Sequence, residues 1–329
     1  MKTCPSCTSQ VEVVIEKLNG YKKGTNYDIL YCQKCNSSFS DPLEIDEDIY
    51  NYIYENSSKT PGYDRYYRYA NDVLFVKNPL NYLGSVEDTY WAVQRHLEEK
   101  SAVGELSVLE VGCGLGYLTY AINKSGIPCK GIDISNVAIA DATERYGDYY
   151  QLQNIYDYCK SGDLYDTIIL TEVIEHIPDA KSFVRSLKDL TRKGGTILIT
   201  TPNKDKFQNI DKYWHTELPP VHLWWLSKKF FENLAVELNM TVQFLDFSVF
   251  NASRLHKNQD SEPWRRQTLN EAGEIEFTLP HNRAKYALKR KLIDMGLMSR
   301  IRSLVNYFIF KNTVSSREST TLGVIMKND

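Results

Sequence analysis

A short apolar segment followed by three alternating glycines constrains the fold of this chain most strongly. The segment Ser107–Leu118 reads SVLEVGCGLGYL, and its glycines are residues 112, 114 and 116. Its apolar start is typical of a buried parallel strand, and the residues after the glycines have helical spacing. A strand, a glycine turn and a helix together bring backbone N–H groups and a helix N-terminus to a ligand, because glycine permits close approach and positive φ.

An acidic residue on the next apolar stretch points to the kind of ligand. Asp133 ends the stretch Gly131–Ile134, about 20 residues beyond the glycines, where a carboxylate can bind both hydroxyls of a ribose. The sequence therefore predicts an adenosine-containing ligand. A dinucleotide-binding loop would read G-x-G-x-x-G, with its third glycine one residue later than Gly116. A nicotinamide-binding βαβ unit is therefore the less favoured alternative.

Three ordered blocks of sequence resemble the class I S-adenosylmethionine-dependent methyltransferase superfamily. The glycine segment is similar to its first motif, residues 165–179 (YDTIILTEVIEHIPD) to its fourth strand and following turn, and residues 190–203 (LTRKGGTILITTPN) to its fifth strand. Within the superfamily, the chain looks like the ubiquinone-type O-methyltransferases and the methyltransferase domain 23/11 group. The resemblance implies an α/β fold with a doubly wound, seven-stranded, Rossmann-like sheet.

The resemblance also implies a set of residues for the cofactor, S-adenosylmethionine. Asn154 and Ile155 should lie at the adenine. The usual residue at the first of these positions is aspartate, so Asn154 departs from the pattern and Asp157 is an alternative. The matching positions are Glu110, Gly112, Cys113, Gly114, Gly116, Tyr117, Asp133, Ile134, Asn154, Ile155, Thr171 and Glu172.

Candidate catalytic residues follow the fourth strand. Glu172, Glu175 and His176 share one face if the turn after this strand is helical. His176 could take a proton from an acceptor hydroxyl, because the pKa of a histidine lies near neutral, and Glu172 or Glu175 could orient it. The same three residues resemble a segment linked to a divalent metal in ubiquinone-type enzymes, so a second metal ion is an alternative. A third interpretation is that the segment only shapes its loop.

A second group of histidines lies in an aromatic loop after the fifth strand. His215 and His222 are separated by a proline-stiffened stretch and flanked by three tryptophans, which suggests a pocket for a ring, a sugar or an aryl group. Tryptophans packing a core under a long loop are the alternative. The candidate base is therefore His176, His215 or His222, with Glu175 as the accompanying carboxylate.

Four cysteines near the N-terminus have the spacing of a metal site. Cys4 with Cys7, and Cys32 with Cys35, form two C-x-x-C pairs around a segment that alternates like a hairpin. The arrangement resembles a zinc ribbon, a closed tetrahedral site in which the metal is structural. Incidental or redox-active C-x-x-C motifs are the alternative.

The sequence divides into four parts. We expect a zinc ribbon over residues 1–40, a tyrosine-rich helical lead-in over 41–106, a core formed by 107–250 and 313–329, and a helical insertion over 251–312. In the lead-in, Tyr63, Tyr66 or Tyr67 could cover the cofactor or the acceptor, or could join the ribbon to the core. Residues 281–312 are basic, which suits either an anionic or membrane-held acceptor or a solvated helix face.

The composition of the chain limits the classes of molecule that we expect it to bind. The net charge is −3, and few basic residues lie in the predicted ribbon, which argues against nucleic acid. The sequence shows no apolar run of membrane-spanning length and no signal peptide, so we expect a cytoplasmic enzyme. The predicted acceptor is a hydroxyl of a small molecule or glycan, including anionic or lipid-linked ones. The alternatives are an RNA methyltransferase and a non-catalytic binding module.

Overall fold

Two β-sheets organise the chain. The computed structural model describes residues 2–206, 218–252, 267–276, 283–298, 300–301, 304 and 319–329. A small N-terminal sheet and a seven-stranded central sheet are connected by a helical lead-in. In the described residues, no helix is both long enough and apolar enough to cross a membrane.

The N-terminal sheet is antiparallel and contains one strand from far along the chain. Its first three strands are β1 (Glu12–Asn19), β2 (Asn26–Cys32) and β3 (Ser37–Asp41). The predicted hairpin is confirmed, with longer strands than the alternation indicated. The fourth strand, β9 (Trp224–Trp225), pairs with β3 and gives the order β1-β2-β3-β9. A two-residue strand has no periodicity of its own, so sequence patterns gave no sign of it.

Four helices make up the lead-in. They are α1 (Glu47–Glu55), α2 (Asp64–Asp72), α3 (Pro79–Val86) and α4 (Asp88–Ser101). Side-chain caps fix where two of them begin: Asp46 accepts a hydrogen bond from the Ile49 N–H, and Asn78 accepts one from the Asn81 N–H. The helices expected from Tyr63 and from Val86 are confirmed as α2 and α4, within a few residues.

The central sheet has the predicted α/β architecture. Its seven strands lie in the order β10-β11-β8-β7-β4-β5-β6, and β4 to β8 run parallel. The last strand in sequence, β11, pairs antiparallel with both β8 and β10, as expected. The strands are β4 (Val108–Val111), β5 (Cys129–Asp133), β6 (Tyr150–Leu152), β7 (Tyr165–Thr171), β8 (Thr191–Pro202), β10 (Met240–Phe244) and β11 (Thr321–Asn328).

The sequence predicts strands over residues 149–155 and 242–249, and both predictions are too long. The strand expected over 149–155 ends at Leu152, because the Asn154 side chain accepts a hydrogen bond from the Tyr156 N–H and begins a short helix. The strand expected over 242–249 ends at Phe244, because Asp246 accepts a hydrogen bond from the Ser248 N–H at the start of another helix. In both places a local cap ends the extended backbone.

Seven helices accompany the central sheet in the described residues. Ser135 and Ser227 cap the helices that follow them, as expected, by accepting hydrogen bonds from the N–H groups of Ala138 and Phe230. Half of the predicted insertion over 251–312 lies outside the described residues, and the described half includes residues 267–276 and the helix over 283–294. The helices are α5 (Tyr117–Lys124), α6 (Asn136–Tyr146), α7 (Ile155–Tyr158), α8 (Ala180–Asp189), α9 (Lys228–Glu237), α10 (Ser248–Ala252) and α11 (Arg283–Asp294).

One hydrophobic cluster spans the two sheets. Ile168 and Ile197 of the central strands and Phe39 of the ribbon all belong to it, and Trp224 and Phe230 fill the space between the sheets. Fully burying a side chain such as Phe230 stabilises the fold by about 1.5 to 3 kcal/mol. The N-terminal sheet therefore shares one hydrophobic core with the central sheet.

Candidate active site

The glycine turn after β4 combines positive φ angles with tight packing. Gly112, Gly114 and Gly116 have φ angles of 74°, 48° and 75°. A Cβ atom on Gly116 would lie 2.7 Å from the ring of Tyr150, and one on Gly112 would lie 2.6 Å from Val173. These two positions therefore exclude a side chain for steric as well as conformational reasons. The turn delivers the chain to the start of α5 with its backbone N–H groups facing the strand ends.

Asp133, the predicted ribose ligand, is held by two backbone N–H groups. Its Oδ2 accepts a hydrogen bond of 2.8 Å from the Gly114 N–H, and its Oδ1 accepts one of 2.9 Å from the Ser135 N–H. Burial raises the pKa of Asp133, and the backbone hydrogen bonds oppose this shift. A carboxylate has about four lone-pair sites, so further sites remain for hydroxyl donors.

Glu110, at the end of β4, is a buried acid beneath the turn. It accepts a hydrogen bond from the Thr119 hydroxyl and is 2% exposed. Burial raises the pKa of Glu110 to about 8, although the Thr119 hydrogen bond opposes the shift. Nearby, the hydroxyl groups of Tyr117 and Tyr90 are hydrogen-bonded to each other. Burial also raises the pKa of the Cys113 thiol. These groups form the polar floor of the cleft.

A cavity of about 740 Å³ lies over the carboxyl ends of the central strands. This is the position at which open α/β sheets bind ligands, and the size suits a cofactor with an acceptor. Gly116 and Glu175 do not line it, and neither does Asp157, which pairs with Lys160 on the surface. The predicted cofactor residues that line it are Glu110, Gly112, Cys113, Gly114, Tyr117, Asp133, Ile134, Asn154, Ile155, Thr171 and Glu172.

Glu172 lies at the end of β7, in the wall of the same cavity. Its backbone has a φ of 53°, and its N–H donates to the Thr200 carbonyl at 2.9 Å. Burial raises the pKa of Glu172 to about 7, with Asp88 adding to the rise and Arg65 opposing it. Its Oε1 is buried, without a hydrogen-bond partner among the described residues. A ligand that donates a hydrogen bond would satisfy this oxygen.

Arg65, in α2, is a lining residue that the sequence interpretation missed. Its guanidinium donates a hydrogen bond of 2.7 Å to the hydroxyl of Tyr66, and both residues face the cavity. Tyr63 also lines the cavity, whereas Tyr67 does not. The signal available in the sequence was the string of tyrosines, and an arginine within it has no distinguishing pattern. The site therefore contains a cation near Glu172 as well as aromatic faces.

His176 and His222 form a pair in the cavity wall. Their ring centroids are 4.9 Å apart. His176 Nδ1 contacts the Val221 carbonyl and lies 3.0 Å from the Tyr50 hydroxyl. A carbonyl only accepts, so this contact places the proton on Nδ1 and leaves the lone pair of the neutral ring on Nε2. Burial lowers the pKa of His176 to about 4, so the ring is neutral near pH 7.

Glu175 stands behind the two histidines. Its side chain is fully buried, its Oε2 accepts a hydrogen bond of 2.9 Å from Thr201, and its Oε1 lies 3.9 Å from His176 Nε2. Donor atoms of Glu175, His176 and His222 all lie within 4.8 Å of one another. Among the described residues, Glu172 does not belong to this group, so His222 takes the place that the sequence pattern gave to Glu172. His215 lies outside the described residues.

The four N-terminal cysteines converge on one point. Cys4 and Cys35 have sulfur atoms 3.8 Å apart, and those of Cys7 and Cys32 are 3.5 Å apart. All four sulfur atoms lie within 4.8 Å of one another. Tetrahedral zinc with Zn–S bonds of about 2.3 Å separates its sulfur ligands by roughly 3.8 Å. The donor set and its spacing therefore fit zinc, and four protein ligands leave no open position for chemistry.

Curated relatives match the central part of the chain. Ubiquinone biosynthesis O-methyltransferase of Coxiella burnetii is 28% identical over 117 residues, covering 34% of this chain and 50% of the relative. The protein of the same name from Rickettsia canadensis is 30% identical over 120 residues, covering 35% of this chain and 51% of the relative. The chain thus spans about half the length of these relatives.

Solved structures give distant matches. A magnesium protoporphyrin IX methyltransferase from Synechocystis with bound S-adenosylhomocysteine has 19% identity and a TM-score of 0.43, with coverage of 61% of this chain and 92% of that one. A methyltransferase from Archaeoglobus fulgidus has 14% identity and a TM-score of 0.43, with coverage of 71% and 92%.

A family model extends over a larger part of the chain. The model described as a methyltransferase domain matches residues 65–243, which is more than half of the sequence. The matched region contains the glycine turn, Asp133 and the histidine pair, and the seven-stranded central sheet was expected from the same resemblance. The chain therefore belongs to the methyltransferase domain family, within the class I S-adenosylmethionine-dependent methyltransferase superfamily.

Proposed function

We propose that this chain transfers a methyl group from S-adenosylmethionine to a hydroxyl of a small-molecule or glycan acceptor. The observation that carries the proposal is the pairing of His176 and His222 in the wall of the cavity that Asp133 also lines. Asp133 ends β5 and Glu172 ends β7, with β4 and its glycine turn between them. A cofactor lying across these strand ends would present its methyl group toward the histidines.

The cofactor would be held by residues at the ends of β5, β6 and β7 and by Arg65 of α2. Asp133 would bind the ribose hydroxyls, and Asn154, Ile155 and Ile134 would contact the adenine. At the other end, the cation of Arg65 suits the carboxylate of the methionine part, since a guanidinium binds carboxylates through two parallel hydrogen bonds. The buried Oε1 of Glu172 suits its ammonium group. These assignments leave the space beside His176 and His222 for the acceptor.

Methyl transfer to a hydroxyl requires alignment of the reacting atoms and removal of one proton. The sulfonium is already activated, so holding the acceptor oxygen in line with the methyl carbon supplies most of the rate acceleration. As the new C–O bond forms, the hydroxyl proton must leave, and Nε2 of the neutral His176 can accept it. His222 is the neighbouring candidate, and His215 stays a prediction.

The proposal includes a structural metal site in the ribbon and a candidate second metal site at the histidines. We assign zinc to Cys4, Cys7, Cys32 and Cys35, where it would stabilise a segment too small to fold on its own core. As an alternative to His176 acting as the base, the close grouping of Glu175, His176 and His222 would accept a divalent ion, which would bind the Nε2 lone pair of His176 and would polarise the acceptor oxygen when bound. Loading purified protein with Zn²⁺, Mn²⁺ or Mg²⁺ and counting bound ions separates the cases: one zinc per chain supports the ribbon alone, and a second ion supports both sites.

The two rival functions make different demands on the surface and the cleft. An RNA methyltransferase would need a basic footprint, but acidic residues outnumber basic ones by 42 to 39. In α11, one of the basic residues, Arg290, pairs with Asp72 at 2.7 Å, which favours a structural role for that side chain. A non-catalytic module would have no use for a pair of histidines beside the cofactor.

Calorimetry with S-adenosylhomocysteine and NAD tests the cofactor assignment. We expect one S-adenosylhomocysteine to bind per chain and NAD to produce no heat; the reverse pattern would refute the proposal. Transfer of radiolabelled methyl groups to fractionated small molecules and glycans then tests the acceptor class. Label that moves instead into RNA, with binding that weakens steeply as salt rises, would support the RNA alternative.

A further inference from the structure

The N-terminal ribbon and the histidine pair share one backbone segment. We propose that the zinc-loaded ribbon holds His222 and His176 in place, so that it is a positioning element of the acceptor site and not a separate docking module. The inference rests on the zinc assignment proposed above. It follows from three sets of contacts, which run from Cys35 to the turn that carries His176.

The first contacts join the cysteine turn to the start of α9. The Ser227 hydroxyl donates a hydrogen bond of 2.6 Å to the Cys35 carbonyl and accepts one from the Phe230 N–H. The Ser227 N–H donates to the Ser37 hydroxyl at 3.2 Å. Ser227 is fully buried, so water cannot replace these partners without opening the packing. The backbone of a candidate zinc ligand is thereby tied to the residue that begins α9.

The second contacts make the residues after His222 part of the ribbon sheet. Phe39 pairs with Trp224, and Ser38 pairs with Trp225, along the edge of β3. The rings of Phe39 and Trp224 pack with their centroids 4.9 Å apart. Trp224 and Trp225 are almost completely buried. Their position therefore depends on β3, which directly follows the Cys32–Cys35 turn.

The third contacts link the same segment to the histidine pair. The Leu223 carbonyl accepts a hydrogen bond of 2.9 Å from the Ser40 N–H, and the Leu223 N–H donates one of 2.8 Å to the Glu175 carbonyl. One residue thus bridges the ribbon and the turn that carries His176. The Trp224 indole N–H adds a hydrogen bond of 3.2 Å to the Pro178 carbonyl. His222 is adjacent to this bridge, and Val221 supplies the carbonyl that fixes the His176 ring.

Loss of zinc should therefore loosen the acceptor side first. Without zinc the four cysteines would take up protons and lose the metal that joins them, and the turn that orients Cys35, Ser37 and β3 would lose its main constraint. The partners of Ser227 and Leu223 would then exchange with water. The cofactor side depends on the glycine turn and Asp133, whose hydrogen bonds lie within the central sheet and its helices. Local opening of one region with retention of another is common in folded proteins.

Hydrogen-exchange mass spectrometry on the full chain tests the coupling without an acceptor. Zinc is removed with a chelator, and the exchange of residues 221–227 and 172–178 is compared with that of β5. We expect exchange of the first two segments to rise roughly tenfold or more, with β5 unchanged and the affinity for S-adenosylhomocysteine within about threefold. Unchanged exchange at 221–227 would overturn the coupling, and so would an equal rise throughout the chain.

A variant with all four cysteines intact covers the case in which the zinc-free chain unfolds. Ser227→Ala removes the hydrogen bond to the Cys35 carbonyl, and coupling between sites is reciprocal at equilibrium, so we expect a several-fold lower affinity for zinc, measured as a greater equilibrium release of zinc to a chromogenic chelator. The control is Asn78→Ala, which removes the cap of α3 far from the ribbon and should leave zinc release unchanged. Equal release from wild type and Ser227→Ala would refute the coupling. A purified chain without zinc would instead refute the metal assignment.

Discussion

The Asp133 carboxylate and the Gly114 N–H are joined by a hydrogen bond of 2.8 Å that links two strand ends of the central sheet. The bond orients the carboxylate from β5 and at the same time fixes the middle of the turn after β4. A Cβ on Gly114 would lie 3.3 Å from the hydroxyl of Tyr54, so this glycine faces the cleft directly. The cofactor site is therefore organised before any ligand arrives.

Replacing Asp133 should weaken cofactor binding while the fold persists. Hydrogen bonds to a charged group contribute about 1.5 to 3 kcal/mol each, so Asp133→Asn should reduce the affinity for S-adenosylhomocysteine roughly a hundredfold. The asparagine oxygen can still accept from Gly114 and hold the turn, while the hydrogen bond from the Ser135 N–H is lost because the amide NH₂ group only donates. Calorimetry gives the affinity, and circular dichroism checks the fold. Asp157→Asn, on the surface, is the control, and wild-type affinity in Asp133→Asn would contradict the ribose assignment.

The tight packing of the glycine turn predicts that Gly116→Ala loses more stability than Gly126→Ala, a variant outside the turn at a glycine with a similar φ. Gly126 has a φ of 88° and open space around its Cβ position, so Gly126→Ala should cost about 1 to 2 kcal/mol of conformational strain. At Gly116 the strain is joined by a contact of 2.6 Å with the Ala142 Cβ, so Gly116→Ala should cost roughly 4 kcal/mol. Urea unfolding measures both. Equal losses would show that the turn tolerates a side chain.

Buried Glu110 predicts a fall in stability as the pH rises. Its pKa is about 8 in the folded protein and 4.5 ordinarily, so between these values the folded state binds more protons than the unfolded state. The free energy of unfolding contributed by Glu110 is then fully present below pH 4.5 and is lost as the pH rises through 8. Glu110→Gln should flatten the dependence between pH 6.5 and 8. Glu105→Gln, at an exposed position, is the control and should follow wild type.

The features that could be predicted from the sequence are those that depend on residues close together in the chain. The glycines, Asp133 and the succession of apolar strands predict the central sheet, because each belongs to a short motif whose residues lie close together in the sequence. The spacing of the four cysteines likewise predicts the cysteine cluster that the structure contains. The caps at Asn154 and Asp246 were visible as residues, but their effect on strand length depends on the competition between a short helix and a sheet edge.

Long-range contacts account for the features that were missed. Arg65 reaches the cavity only because α2 packs over the strand ends. Trp224 and Trp225 become a strand only beside β3, almost 190 residues earlier in the chain. The grouping of Glu175 with His222 depends on the same pairing, which is why the sequence pattern favoured Glu172. These features need the tertiary fold, and periodicity within one segment carries no information about it.

The burial of His176 predicts a histidine that stays neutral in mild acid, even though its contact with the Val221 carbonyl opposes this shift. Burial lowers the pKa of His176 to about 4, so between pH 4 and 6.5 the unfolded state binds more protons, and stability from this residue rises with pH over that window. In NMR spectra of ¹⁵N-labelled histidine, His176 should remain the Nδ1–H tautomer down to about pH 4. Tyr50→Phe removes the neighbouring hydroxyl but keeps the carbonyl, so the tautomer should persist. A His176 ring that titrates near pH 6.5 would contradict the expected effect of burial, and a neutral ring protonated on Nε2 would remove the basis for its proposed role as the proton acceptor.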